Sequence, residues 1–124
     1  MKQLDLTGRK ALVTGGAQGL GEGMATALTE AGARVVIADV KDDLGPKVGE
    51  RLGGGFVHLD ITEDASWERG VASAIDQLGG LDIVVNNAGV EITSLIVDLD
   101  PDQVRRMLEV NVLGTALGIK HAFR

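Results

Sequence analysis

Two periods alternate along this chain, and that alternation restricts its fold more than any other feature. Ala11, Leu12 and Val13 run into Thr14-Gly15-Gly16 and read as a buried strand over residues 10–14. Leu20, Met24, Ala27, Leu28 and Ala31 then share one face of a helix that Gly32 closes. Residues 34–40 are β-branched and apolar and predict a second strand ending near Asp39. Residues 42–52 predict a weak helix: Leu44, Val48 and Leu52 align, but Gly45, Pro46 and Gly49 lower its propensity. Gly53-Gly54-Gly55 turns the chain into a third strand, 56–59. Trp67, Val71, Ala74, Ile75 and Leu78 form the stripe of a third helix, which ends at Gly79-Gly80 before a fourth strand, 81–85. Strands and helices in this order leave one economical solution. The strands are parallel, the crossovers right-handed, and helices cover both faces of a three-layer α/β domain.

Residues 91–99 fit loop, short strand or short helix equally well. Asp100-Pro101-Asp102-Gln103 then starts a helix, with Asp as N-cap, Pro at N1 and Gln at N3 to complete a capping box. Val104, Met107, Leu108, Val110, Val112, Leu113, Leu117, Ile119 and Phe123 put apolar groups on nearly every side of it, the pattern of a helix buried all round. No stop signal precedes Arg124. The expectation is one domain, residues 1–124, interrupted within the helix that follows Asp100.

Composition narrows the function. Hydrophobic residues make up 44% of the chain, enough for a core, which sets disorder aside. Cysteine is absent, removing thiolate catalysis, disulfides and cysteine-type zinc sites. His58 and His121 lack metal-ligand spacing, so no metal site is expected. A net charge of −6 without a basic stripe argues against nucleic acid, although backbone N–H groups can still bind phosphate. Residues 1–6 lack a secretory apolar core, and no run reaches membrane-spanning length, so a soluble, cytoplasmic protein is expected.

Five places are candidates for chemistry. In Thr14-Gly15-Gly16-Ala17-Gln18-Gly19-Leu20-Gly21 the glycines permit a tight turn and a close backbone approach to a pyrophosphate, while the helix beginning near Gln18 aims free N–H groups at it. The bland reading is a flexible turn. Asp39 at a strand end suits ribose hydroxyls and repels a 2′-phosphate, or merely begins a turn, and Lys41 nearby blurs the choice of nucleotide. Asp60-Ile61 ends the third strand, where an Asp starting a helix is the plain alternative. Asn86-Asn87-Ala88-Gly89 lets a ligand lie close to backbone and amides, or is an Asn-rich turn. Asn111 sits on the stripe Val104, Leu108, Asn111, Thr115, where it needs partners; a structural bond to a backbone carbonyl is the ordinary use.

Taken together, Thr14-Gly-x3-Gly19-x-Gly21, Asp39, Asp60, Asn86-Asn87-Ala88-Gly89 and Asn111 resemble the short-chain dehydrogenase/reductase family over essentially the whole chain. The resemblance implies a Rossmann-type three-layer αβα fold with the parallel strands ordered 3-2-1-4. It implies that Gly15, Gln18, Gly19, Leu20 and Gly21 line the pyrophosphate and nicotinamide-ribose side, and that Asp39 holds the adenosine ribose. Asp60 and Ile61 would bracket the adenine, Asn86, Asn87, Ala88 and Gly89 would border the ribose, and Asn111 would be the catalytic asparagine. NAD is then the expected cofactor, ahead of NADP, and an alcohol or ketone the substrate. The last helix would form a homo-oligomer interface.

The family's Tyr-x3-Lys motif is missing, and the chain has no tyrosine at all. The tyrosine is the family's general acid or base, so these 124 residues alone are expected to be inactive. Residues 81–85 as an apolar sheet edge, with an uncovered last helix, predict poor solubility or oligomer formation. The competing reading is a non-catalytic NAD-binding module for sensing or assembly. A methyltransferase of related fold is opposed by Asn86-Asn87-Ala88-Gly89 and by the glycine spacing.

Overall fold

In a computed structural model, which describes residues 4–124, four short strands form one sheet. They are β1 (Lys10–Thr14), β2 (Arg34–Asp39), β3 (Gly55–His58) and β4 (Ile83–Val85), all parallel and in the order β3-β2-β1-β4. This is the expected 3-2-1-4 arrangement of a Rossmann-type fold. Residues 1–3, part of the segment read for a secretory core, lie outside the described residues.

The two central strands are buried on both faces, and their alternation divides the core. Ala11 and Val13 of β1 pack with Val35 and Ile37 of β2 on one side. Leu12, Val36 and Ala38 face the other, together with Val57, Leu59 and Trp67. The first side is covered by α1 (Gly19–Glu30) and α2 (Leu44–Arg51). The second is covered by α3 (Asp64–Leu78) and a continuous helical run. That run comprises α4 (Pro101–Leu108), a π-turn over Glu109–Leu113, and α5 (Gly114–Ala122). Strands in the middle layer of such a sandwich meet apolar neighbours above and below, which is why they read as unbroken apolar runs.

Several boundaries differ from those expected. β2 stops at Asp39, and Val40 turns out to 52% exposure. β3 begins one residue early, because Gly55 pairs with Val36. β4 is shorter than 81–85, with only Ile83, Val84 and Val85 in register with β1. The ambiguous 91–99 stretch is largely irregular, holding a single 3-10 turn at Ile96–Asp98. At the start of α4, Asp100 accepts from the Asp102 N–H, so it caps N2 rather than the N3 position of a capping box.

Two larger differences have instructive causes. The weak helix α2 forms because its glycines are steric requirements: side chains at Gly45 and Gly49 would strike Phe56 and the Gly55 backbone. Their propensity cost is offset by close helix–strand packing that buries Val48. The last helical run is not buried all round among the described residues. Val110, Gly114, Gly118 and His121 face inward, whereas Leu108, Val112, Leu113 and Ile119 stand exposed. Its inner face is therefore built mainly from small residues and one histidine. The stripe Val104, Leu108, Asn111, Thr115 does not mark the inner face.

Candidate functional site

The site lies at the carboxyl ends of β1, β2 and β4, where the chain turns from strand to helix. Chain reversal between β1 and α1 is made by glycine. Gly15 has φ +64° and Gly19 φ +59°, a region that an L side chain seldom occupies. The cradle tests directly whether a pyrophosphate suits this turn. A Cβ at Gly21 would run into the Gly15 carbonyl, and one at Gly15 would come 3.0 Å from the Ala88 Cα. A Cβ at Gly19 would meet no protein atom within 4 Å. The first two glycines therefore serve protein packing, while Gly19 keeps open space beside the helix end. Gln18 is the N-cap of α1 but makes no side-chain cap bond. The first-turn N–H groups have no acceptor within the helix and are offered, with the positive end of its dipole, to the open side. An anion fits there.

β2 delivers Asp39 beside this turn. Its Oδ2 accepts from the Ala17 N–H at 3.1 Å and its Oδ1 from the Lys41 N–H at 3.1 Å. Two backbone donors thus fix the carboxylate at the mouth of the glycine loop, with lone pairs remaining on both oxygens for hydroxyl donors.

After β3, Asp60 closes a tight turn. Its Oδ1 accepts from the Thr62 hydroxyl at 2.7 Å and the Thr62 N–H at 3.0 Å, and its own N–H donates to Ser66 Oγ at 2.9 Å. The Thr62 hydroxyl holds this carboxyl below its ordinary value of 3.8, against an opposing push from burial; the Thr62 N–H, Arg106 and His58 add to the lowering. Asp60 is an ionised acceptor at neutral pH.

The β4 exit is tied to β1 through one hydroxyl. Thr14, only 1% exposed, donates from Oγ1 to the Val85 carbonyl at 3.2 Å. The same oxygen accepts from the N–H groups of Asn87 and Ala88, both at 3.1 Å. Asn87 Nδ2 returns bonds to the carbonyls of Thr14 (3.1 Å) and Gly15 (3.3 Å). Its carboxamide is thus engaged in joining two loops, and Ala88 and Gly89 continue the turn.

These turns enclose a cleft of about 490 Å³, within the usual size of small-molecule sites. Gly15, Gln18, Gly19, Leu20 and Gly21 line it, as do Asp39, Asp60, Ile61, Asn87, Ala88 and Gly89. Two candidates are not brought to it. Asn86 lies on the other side of the turn, its carboxamide against Gly118 of α5 and close to Trp67. Asn111 stands back from the wall and clamps Val90, with Oδ1 accepting from the Val90 N–H and Nδ2 donating to its carbonyl, both at 2.8 Å. Val90 itself lines the cleft. The π-turn carries Asn111, and the Thr115 hydroxyl donates to the Asn111 carbonyl at 3.0 Å. Asn111 is thereby the residue that fixes the path of the chain beyond Gly89.

Sequence reasoning missed Arg106 and Val110, which line the cleft from the last helical run, and Thr62, whose hydroxyl holds Asp60. Spacing offered a signal for the first pair, since residues four apart share a helix face. His121, weighed in the sequence only as a metal ligand, has a structural place instead. It is 5% exposed, stacks on Trp67 with ring centroids 6.4 Å apart, and shares the Asp64 carboxylate with Lys120, both at 2.8 Å. It lies outside the cleft. Among the described residues no group of three or more His, Cys, Asp or Glu could hold a metal ion, and no helix is long and apolar enough to cross a membrane.

A parallel α/β sheet with a glycine-floored helix mouth and a strand-end carboxylate defines the class of dinucleotide-binding proteins. Within that class the chain belongs to the short chain dehydrogenase family, whose model matches residues 9–124. It is 42% identical to zerumbone synthase of Zingiber zerumbet, over 96% of this chain and 47% of that protein. It is likewise 42% identical to (+)-borneol dehydrogenase 2 of Salvia officinalis, over 98% of this chain and 45% of the relative. With the 3-alpha-(or 20-beta)-hydroxysteroid dehydrogenase of Mycobacterium tuberculosis it shares 40% identity, over 93% and 45%. The chain spans about half the length of the curated relatives it matches. The family is one of oxidoreductases that use a nicotinamide cofactor, NAD or NADP.

Proposed function

We propose that these residues form the cofactor site of an NAD(H)-dependent oxidoreductase that interconverts an alcohol and a ketone. The observation that carries the proposal is the placement of Asp39, held by the Ala17 and Lys41 N–H groups at the rim of the glycine loop. In this reading the first-turn N–H groups of α1 hold the pyrophosphate, on a turn whose close packing Gly15 and Gly21 permit and whose open side Gly19 keeps free of a side chain. Asp39 accepts from the adenosine ribose hydroxyls and repels a 2′-phosphate. Lys41 lines the same cleft, so rejection of NADP is partial. Asp60 and Ile61 bracket the adenine. Asn87, Ala88 and Gly89 border the ribose, where Asn111 sets the wall through Val90. Asn86 contributes by packing against α5. When bound, the nicotinamide supplies the hydride donor or acceptor; the protein orients it and excludes water.

The 124 residues contain no tyrosine, and we assign the proton-transferring group to sequence outside them. Alone, they bind cofactor without turnover. The relatives named for borneol and a hydroxysteroid support an alcohol on an alicyclic skeleton as the substrate. The exposed Leu108, Val112, Leu113 and Ile119 support a homo-oligomer contact through the last helix.

The test is calorimetric titration of the protein and of Asp39→Ala with NAD and NADP. Loss of the carboxylate should weaken NAD binding by about 1–3 kcal/mol, as for a charged hydrogen bond, and narrow the gap between the two nucleotides. Unchanged NAD affinity would remove Asp39 from the site.

A further inference from the structure

The cleft has a cationic wall that the acceptor residues leave unexplained. Arg106 lies on α4 one turn before Val110, so both side chains fall on one helix face, and both line the cleft. Val110 is 6% exposed and packs into the core below Ile61. Arg106 lies further out, its side chain 57% exposed, and its nearest ion pair is a loose 3.9 Å approach to Glu109. The guanidinium is therefore not committed to a structural bridge. Arg106 lines the same cleft as Asp60 and Ile61, at the end beyond β3, and its charge adds to the lowering of the Asp60 carboxyl.

We propose that the Arg106 guanidinium lies over the face of the adenine ring, with Val110 and Ile61 as the apolar surface beneath. The inference rests on the cleft being a dinucleotide site and adds to that reading a residue that grips the base. Arginine suits the place because its guanidinium is planar, delocalised and weakly hydrated, and so stacks on π surfaces as an ammonium does not. A phosphate clamp would instead require the cation beside Asp39, where the ribose hydroxyls are read to lie.

Calorimetry on the intact protein, Arg106→Gln and Arg106→Lys separates the outcomes. NADH, NADPH, AMP and reduced nicotinamide mononucleotide are the probes. Arg106→Gln should lower affinity for NADH and for AMP by a similar factor, about fivefold, the size of a solvent-reachable cation–π contact. Reduced nicotinamide mononucleotide, which has no adenine, should bind unchanged. Arg106→Lys should recover less than half of the loss. Unchanged NADH and AMP affinity in Arg106→Gln overturns the inference, and so does a loss much larger for NADPH than for NADH, which gives the guanidinium to a phosphate. If the unaltered protein binds neither NADH nor AMP, the dinucleotide reading itself fails. If it binds both and Arg106 is indifferent, only the stacking role falls.

Discussion

Replacing Thr14 by valine removes one oxygen, keeps the shape and tests how the cleft is assembled. The Thr14 hydroxyl donates to Val85 and accepts from Asn87 and Ala88, so Thr14→Val deletes three bonds and leaves two N–H donors without their acceptor. A buried donor left without a partner costs about 1–3 kcal/mol. Losing the acceptor of both the Asn87 and Ala88 N–H groups therefore costs about 2–4 kcal/mol together. Against a total stability of about 5–15 kcal/mol this is a large loss. Urea unfolding followed by circular dichroism and tryptophan fluorescence should show a midpoint about 1–2 M lower at unchanged slope. Trp67, fully buried in the core, makes the fluorescence a reporter of that core. Thr14→Ser keeps the hydroxyl and loses a methyl, costing about 1 kcal/mol. NADH affinity should fall with Thr14→Val more than with Thr14→Ser, because the hydroxyl positions Ala88 and Gly89. A valine variant as stable as the parent, or a serine variant that is the worse of the two, would refute the reasoning.

Two further outcomes follow from the geometry. Gly21→Ala places a methyl group against the Gly15 carbonyl; calorimetry should show NADH binding largely lost, and thermal melting a lowered midpoint, whereas Gly23→Ala on the open face of α1, where a Cβ meets nothing, should leave both nearly unchanged. Asp64 is held below the ordinary carboxylate value of 3.8 by Lys120 and His121, and Asp60 by Thr62. A lowered folded value means stability that is present above 3.8 and lost as pH falls below it. Acid unfolding of Asp64→Asn should therefore be less steep than that of the parent below pH 4, and an identical acid limb would count against the shared carboxylate.

What the sequence disclosed and what it concealed divide along physical lines. The strands β1 and β2, and the turn into α1, were legible because each rests on local rules: apolar runs for two-sided burial, and glycine where φ is positive. Asp39 was legible because it stands at a strand end at a fixed distance from that turn. Thr14 stood in plain view within the glycine motif, yet its role depends on partners 73 and 74 positions away, which no local pattern contains. α2 was undervalued because propensity counts Gly45 and Gly49 as costs, whereas their missing side chains are what lets the helix approach Phe56 and Gly55. In the last helical run the wheel misled for two reasons. The π-turn shifts the register across Glu109–Leu113, and the inward positions Gly114, Gly118 and His121 score as weakly apolar or polar. Asn111 stands exposed rather than inside an apolar surface, and that its carboxamide bonds both polar groups of Val90 required the fold.

The most direct measurement is a crystal structure of the protein grown with saturating NADH. The pyrophosphate should rest on the first-turn N–H groups of α1 above Gly19, with the adenosine ribose hydroxyls in hydrogen-bond contact with Asp39. A nucleotide seated elsewhere, or an empty cleft at saturation, would contradict the account.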